Sequence, residues 1–267
     1  MKHKLAFWTL LALITFASCG KENGSTEAVD EDNPAAAPSK KLKKVSLITP
    51  VGAEISYNYV WEGDKLKSVA IINVNDIVDE SYTFTYSGDK LSKAIYRSES
   101  EEMTNECDYS WIGNKIDTEK YTHIKEYESD VLTYKYSYSG SKPTRLAIYG
   151  EDDEIEPDYL NIVWTGNNVT QHYYDDEKIV TLTYDNKKNP LYLPQMGYIP
   201  SFFSIGHYDL CWSENNITRF EVSDTKGDDT GDSVGNFTYT YDDDGYPATM
   251  TYSIDGMTIT CVYTYYE

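Results

Sequence analysis

The stretch KKLKKVSLI at residues 40–48 follows a polar linker containing Pro and Ala, and it reads as a β-strand that has lost its turn and its partner. Its nearest internal likeness is KLKSVAII at 65–72, where Leu66, Val69 and Ile71 stand in the places of Leu42, Val45 and Leu47. The later copy is preceded by a strand and a Gly turn, YNYVWEGD; the earlier copy is not. The repeat-bearing region therefore opens on the second half of a hairpin. At the other end, ITCVYTYYE at 259–267 alternates Ile259, Cys261, Tyr263 and Tyr265 and stops where a turn should follow. It is a first half without a second. Pairing the two ends completes a hairpin and closes the sheet, which removes two edges open to aggregation.

The repeat between these ends explains why closure is the economical reading. An aromatic residue precedes a turn at Trp61, Tyr86, Trp111, Tyr138, Trp164, Tyr184, Trp212 and Tyr241, with Trp and Tyr alternating until Tyr241. That alternation points to duplication of a two-unit module. Residues two and four before each anchor are mostly aromatic or aliphatic, and those between are mostly Thr, Ser, Asn or Asp. A period of two marks an antiparallel strand with one packed face and one wet face. Gly in the following GD, GN and GS turns supplies the positive φ that a two-residue hairpin needs. After the turn the apolar spacing is three, then two, as at Leu66, Val69 and Ile71. One extra residue there reads as a β-bulge that bends and twists the strand.

The fold expected is all-β: an antiparallel up-and-down meander of about nine repeated hairpins closing into a large barrel. A circular barrel of that size is too wide for its own side chains to fill. The irregular stretch NPLYLPQMGYIPSFFSIGHY at 189–208 is the natural filler. Pro190, Pro194 and Pro200 bar a regular central strand, while Phe202, Phe203 and Ile205 call for burial. A plug, a cap or a collapsed two-layer barrel would each satisfy it.

The N-terminus carries Lys2 and Lys4, the apolar run LAFWTLLALITFA, and then FASC ending at Cys19. The run is too short for a permanent transmembrane helix and reads as a secretory signal. FASC resembles a bacterial lipobox, which implies acylation of Cys19. The expected organisation is a lipoprotein signal peptide at 1–18, the lipidated Cys and a disordered acidic linker at 19–39, and one repeat-built barrel domain at 40–267. With 23 basic and 44 acidic residues the net charge is −21, which excludes nucleic acid as a partner.

The repeated TYTYDDDGYPATMTY pattern, the lipobox and the Pro/Gly/aromatic break resemble lipoproteins of Bacteroidota grouped as a domain of unknown function with a porin-like fold. YDDDGYP also resembles the YD repeats of secreted shell-forming proteins. The first resemblance implies a large meander barrel in the cell envelope and brings no catalytic residue with it. A membrane-embedded barrel is not expected, because the second strands carry Lys, Asp and Glu, and Tyr runs along the packed face instead of being confined to girdles.

Functional chemistry is sparse. Cys107, Cys211 and Cys261 allow at most one disulfide and are read as buried thiols. No metal-type His spacing or nucleophile elbow occurs. Asp224, Asp228, Asp229 and Asp232 form an oxygen-rich loop that is the weak Ca²⁺ candidate, without EF-hand spacing. Tyr192, Tyr198, Phe202 and Phe203 are the ligand-binding or plug candidates, since such rings stack on sugars or fill a core. These features set the expectation of a non-enzymatic protein that needs no cofactor and is held to outer-membrane lipid through acylated Cys19. Its partner is a glycan, another nutrient or a surface protein. The competing expectations are a structural or adhesive lipoprotein without a ligand, and a glycoside hydrolase using loop carboxylates.

Overall fold

The computed structural model describes residues 40–125, 128–151, 156–174, 178–194, 196–197, 211–224, 233–254 and 257–267. In chain order the strands are β1 (Leu42–Ile48), β2 (Glu54–Glu62), β3 (Lys65–Ile72), β4 (Val78–Ser87), β5 (Lys90–Ser98), β6 (Met103–Ile112), β7 (Lys115–Lys125) and β8 (Glu128–Ser139), followed by β9 (Lys142–Tyr149), β10 (Asp158–Thr165), β11 (Asn168–Tyr174), β12 (Lys178–Lys188), β13 (Asn215–Asp224), β14 (Ser233–Tyr241), β15 (Pro247–Ile254) and β16 (Met257–Tyr265). Every strand pairs antiparallel with its sequence neighbours, and β1 pairs with β16, so the sheet closes into a barrel. The closing register sets Val45 opposite Tyr263 and Leu47 opposite Cys261. KKLKKVSLI thus finds its missing partner in ITCVYTYYE.

The sixteen strands among the described residues make eight hairpins, counting the closing one, where the repeat count anticipates about nine. The difference lies at Tyr184 and Trp212. β12 pairs directly with β13, setting Tyr184 opposite Ile217, so the two apparent units are one hairpin whose turn is replaced by residues 189–214. Trp212 is a residue of that insertion and anchors no turn of its own.

The turns follow a common geometry. Gly63, Gly88, Gly113, Gly140 and Gly166 all have φ between 55° and 60°, and the residue after each is not in the positive-φ region, which is the II′ arrangement that matches strand twist. A register shift accompanies each anchor, as between Val60 and Trp61, where Trp61 pairs with Leu66 while Val60 pairs with Ser68. Lys67 is the extra residue, and it is the bulge that the spacing of three then two predicts.

The anchor itself has a function that spacing alone does not reveal. Pairing between neighbouring hairpins stops short of the turns; β3 and β4, for example, end at Ser68 opposite Thr83. The carbonyl of Leu66 is then left beyond the ladder, and the Tyr86 hydroxyl donates to it at 3.0 Å. The same latch recurs around the barrel. Trp61 Nε1 donates to the Leu42 carbonyl at 2.8 Å, Trp111 to Leu91 at 2.7 Å and Trp164 to Pro143 at 2.7 Å. Tyr138 donates to Ile116 at 3.0 Å, Tyr265 to Pro247 at 2.8 Å and Tyr184 to Val169. At the β13–β14 seam the donor is Tyr239, bonded to Ile217 at 2.9 Å. Trp and Tyr interchange because each carries a donor at the far tip of a flat ring.

The two faces of the wall differ sharply. Tyr59, Val69, Phe84, Leu146, Leu160, Phe220 and Cys261 point inward and are buried in one continuous core. Outward positions are polar at mid-wall: Lys93 pairs with Glu106 at 2.6 Å and with Asp108 at 3.5 Å, and Ser110 shares a hydrogen bond with Thr118 at 2.6 Å.

Candidate functional site

The described part of the insertion between β12 and β13 packs inside the barrel, and its neck is built to enter it. Asn189 Nδ2 donates to the Ser213 carbonyl at 2.8 Å, which ties the two arms together, and Ser213 Oγ accepts from the Val169 backbone N–H at 3.1 Å, which ties them to β11. Inside, Leu191, Leu193, Met196, Cys211 and Trp212 join the core cluster. Trp212 stacks on Trp164 at 6.4 Å between ring centroids and donates from Nε1 to the Met196 carbonyl at 2.7 Å. Cys211 lies close enough to Tyr59 on β2 to contribute to raising its pKa. Of the arrangements open to this stretch, the described part adopts a plug.

Where the plug meets β6–β8 it covers a buried carboxyl. Glu119 is 0% exposed, with Tyr136 Oη donating to Oε2 at 2.5 Å and Cys107 Sγ donating to Oε1 at 3.5 Å. Register places Tyr109 and Tyr134 directly across from it on either side. Burial pushes its pKa up to about 8, with the Tyr136 and Cys107 hydrogen bonds opposing, so the group is a neutral acid at pH 7. Gly197 of the plug sits on this cluster so closely that a Cβ there would lie 2.6 Å from Tyr109 and 2.7 Å from Glu119 Oε2.

Towards the loop end the inward face of β4–β7 turns polar. Register puts Glu80 opposite Ser98, Tyr96 opposite Asn105, and Asn105 opposite His123, with Asp130 of β8 beside His123 at the rim. His123 Nδ1 and Asn105 Oδ1 are 2.6 Å apart. The Tyr96 hydroxyl is hydrogen-bonded to Glu80, whose carboxyl is raised by burial more than that bond lowers it. The Tyr82 and Tyr96 rings pack at 4.8 Å. Ser98 and Asn105 are buried, while Glu80, Tyr96, Tyr121 and His123 are half-buried. At comparable depth, β16, β1 and β2 present Ile259, Leu47 and Ile55.

Of the residues expected from sequence to bind or plug, Tyr192 is half-buried at the neck of the plug. Cys19, Tyr198, Phe202 and Phe203 lie outside the described residues, as do Asp228, Asp229 and Asp232; Asp224 is the last residue of β13. Among the described residues no group of three or more His, Cys, Asp or Glu is placed to hold a metal. Cys107, Cys211 and Cys261 are free and buried, as the thiol reading expects. Sequence reasoning overlooks Glu119 and the Glu80–His123 strip. The signal is positional: Glu119 fills the slot held by Val45, Val69, Ala94, Leu146 and Phe220 in other repeats, so its inward aim is implied.

No helix among the described residues is long and apolar enough to cross a membrane, which has no bearing on crossing by strands. No family model matches the chain, and no curated protein matches it. Among solved structures, the chain is similar to a porin-like protein from Bacteroides uniformis, with a TM-score of 0.54 and 17% identity over 88% of this chain and 100% of that one. A porin-like protein from Bacteroides vulgatus matches with a TM-score of 0.46 and 11% identity over 85% of this chain and 99% of that one. The first likeness establishes a shared barrel fold.

Proposed function

We propose that this chain is a lipid-anchored, non-enzymatic protein of the bacterial cell envelope that binds a glycan or similar nutrient at the loop end of its barrel. The carrying observation is the polarity of the wall. Apolar side chains point inward onto a plug, and mid-wall charges such as Lys93, Glu106 and Asp108 point outward. A charge on the lipid face of a barrel costs up to about 2–4 kcal/mol at the bilayer midplane, so this wall suits water. A barrel in water needs another means of staying in the envelope, and acylated Cys19 supplies one. The shared fold with a porin-like Bacteroides protein supports an envelope address.

Binding rather than turnover is supported by the spacing of the two inward carboxyls at the loop end. Glu80 and Asp130 are four strand steps apart, roughly 19 Å along the wall at about 4.8 Å per step. Glycosidase pairs stand about 5–9.5 Å apart. Metabolic labelling with an alkynyl palmitate tests the anchor. The expected result is a labelled, membrane-bound chain, with Cys19→Ala unlabelled and released to the soluble fraction. A Cys19→Ala chain that still resists carbonate extraction would overturn the reading. Hydrolysis of any polysaccharide by the purified protein would overturn its non-enzymatic part.

A further inference from the structure

The inward strip on β4–β7 is a contiguous stretch of the lumen wall that turns polar, and its composition is specific. We propose that Glu80, Tyr96, Asn105, Tyr121 and His123 form a subsite for a neutral oligosaccharide, an assignment that rests on the glycan-binding reading above and gives it a location and a charge class. Antiparallel register sets these groups side by side on consecutive strands, facing one interior. From β4 to β7 is three strand steps, roughly 14 Å at about 4.8 Å each, a span that suits a short chain of sugar rings.

The chemistry matches that ligand. An amide, an imidazole, a carboxyl and phenols are together donors and acceptors for vicinal hydroxyls. The half-buried Tyr96 and Tyr121 rings offer flat apolar faces to the C–H faces of a sugar. The strip is already partly organised: Asn105 is held by His123 at 2.6 Å, and the Glu80 carboxyl by the Tyr96 hydroxyl. Orienting groups before the ligand arrives reduces the ordering cost of binding.

Charge selects among saccharides. Around this end of β4–β8 stand Asp79, Glu99, Glu101, Glu102 and Asp130, against Arg97 and Lys125. Together with a net charge of −21, this field repels uronic-acid and sulfated chains and leaves neutral ones unaffected. Lipid and nucleic acid fit poorly for the same reason, and the absence of a metal cluster among the described residues leaves no cation to invert the preference.

Calorimetric titration of the full chain with xylo-, cello-, malto- and mannohexaose, and with a galacturonate hexamer, tests the assignment at low and physiological salt. The expected result is binding of at least one neutral hexamer and none of the galacturonate. His123→Phe, which keeps ring volume, and Tyr121→Ala should each weaken that binding at least tenfold without loss of the thermal transition. Lys120→Ala, immediately before Tyr121 in sequence and on the outer face, should leave it unchanged. Neutral binding that survives both inner substitutions would overturn the subsite while leaving the glycan reading intact. Tighter binding of galacturonate would overturn the charge argument. No binding of any neutral hexamer at millimolar concentration would overturn the subsite and the glycan reading together.

Discussion

Replacing Glu119 with Gln should uncouple the stability of this barrel from pH across the neutral range. The unfolded carboxyl titrates near 4.5 and the folded one near 8. The native state therefore holds a proton that the unfolded chain releases, so the stability from this group is fully present below pH 4.5 and is lost as pH rises towards 8. Between pH 5 and pH 8 the difference is three pH units, or about 4 kcal/mol at about 1.4 kcal/mol per unit. Gln keeps an oxygen acceptor for Tyr136 and has no ionisable proton. Urea unfolding of both proteins at pH 5, 7 and 8.5 gives the comparison. The Glu119→Gln chain should gain on the wild type steadily with pH, by about 4 kcal/mol in all, and then hold level. Carboxyls such as Glu54, held low by the Lys44 hydrogen bond, change charge at more acidic pH and cancel in the difference. A gap between the two proteins that does not vary with pH would refute the buried neutral acid.

Three further outcomes follow from the geometry. Trp111→Phe should cost about 1–3 kcal/mol because the Leu91 carbonyl loses its cap, whereas Trp111→Tyr should cost less; equal losses of melting temperature for the two would remove the latch from the explanation of the repeat. Gly197→Ala should destabilise by about 1–3 kcal/mol through its clash with Tyr109 and Glu119, and in the Glu119→Ala background the penalty should shrink in a double-mutant cycle of denaturant unfolding. Cys107, Cys211 and Cys261 should be inert to a water-soluble thiol reagent in the native chain and react together in urea, since burial raises all three thiols, Cys261 to about 11.

Much of the architecture was legible because it is written in a repeat. Alternation gave the inward face, Gly63 and its equivalents gave the turns, and the unpaired copies at Leu42–Leu47 and Ile259–Tyr265 gave the closure. The miscounted hairpin shows the limit of spacing. Trp212 lies in a repeat-like string, but an aromatic two residues before a polar pair reads the same whether it caps a neighbouring carbonyl or stacks on Trp164 inside the lumen. The Asn105–His123 pair was illegible for another reason: its partners sit 18 residues apart in sequence, and only the register of β6 with β7 brings them together. Glu119 was legible in principle, since its slot in the repeat is a core slot. What hid it was the expectation that a charged residue type lies outside, whereas a carboxyl that keeps its proton can lie inside.

The plug and the strip follow from one constraint. A barrel of sixteen strands encloses more space than its own side chains fill, and barrels of that size in membranes leave a water channel lined with polar groups. Here the inward residues are Val, Leu, Tyr and Phe, which cannot line water over such an area without losing the burial that stabilises the sheet. The chain meets that demand by lengthening one turn into the 189–214 insertion, whose described residues pack against β2, β6–β8 and β10. A purely structural barrel would continue the apolar rule along the whole wall. The switch at Glu80, Ser98, Asn105 and His123 costs burial of polar atoms that Val or Ile would have avoided, and these four fall on contiguous strands towards the loop end, whereas His172 on β11 lies apart from them. Contiguity is what a ligand requires and what packing alone does not, and it is the physical ground for placing recognition inside the mouth of the barrel and not on its outer wall.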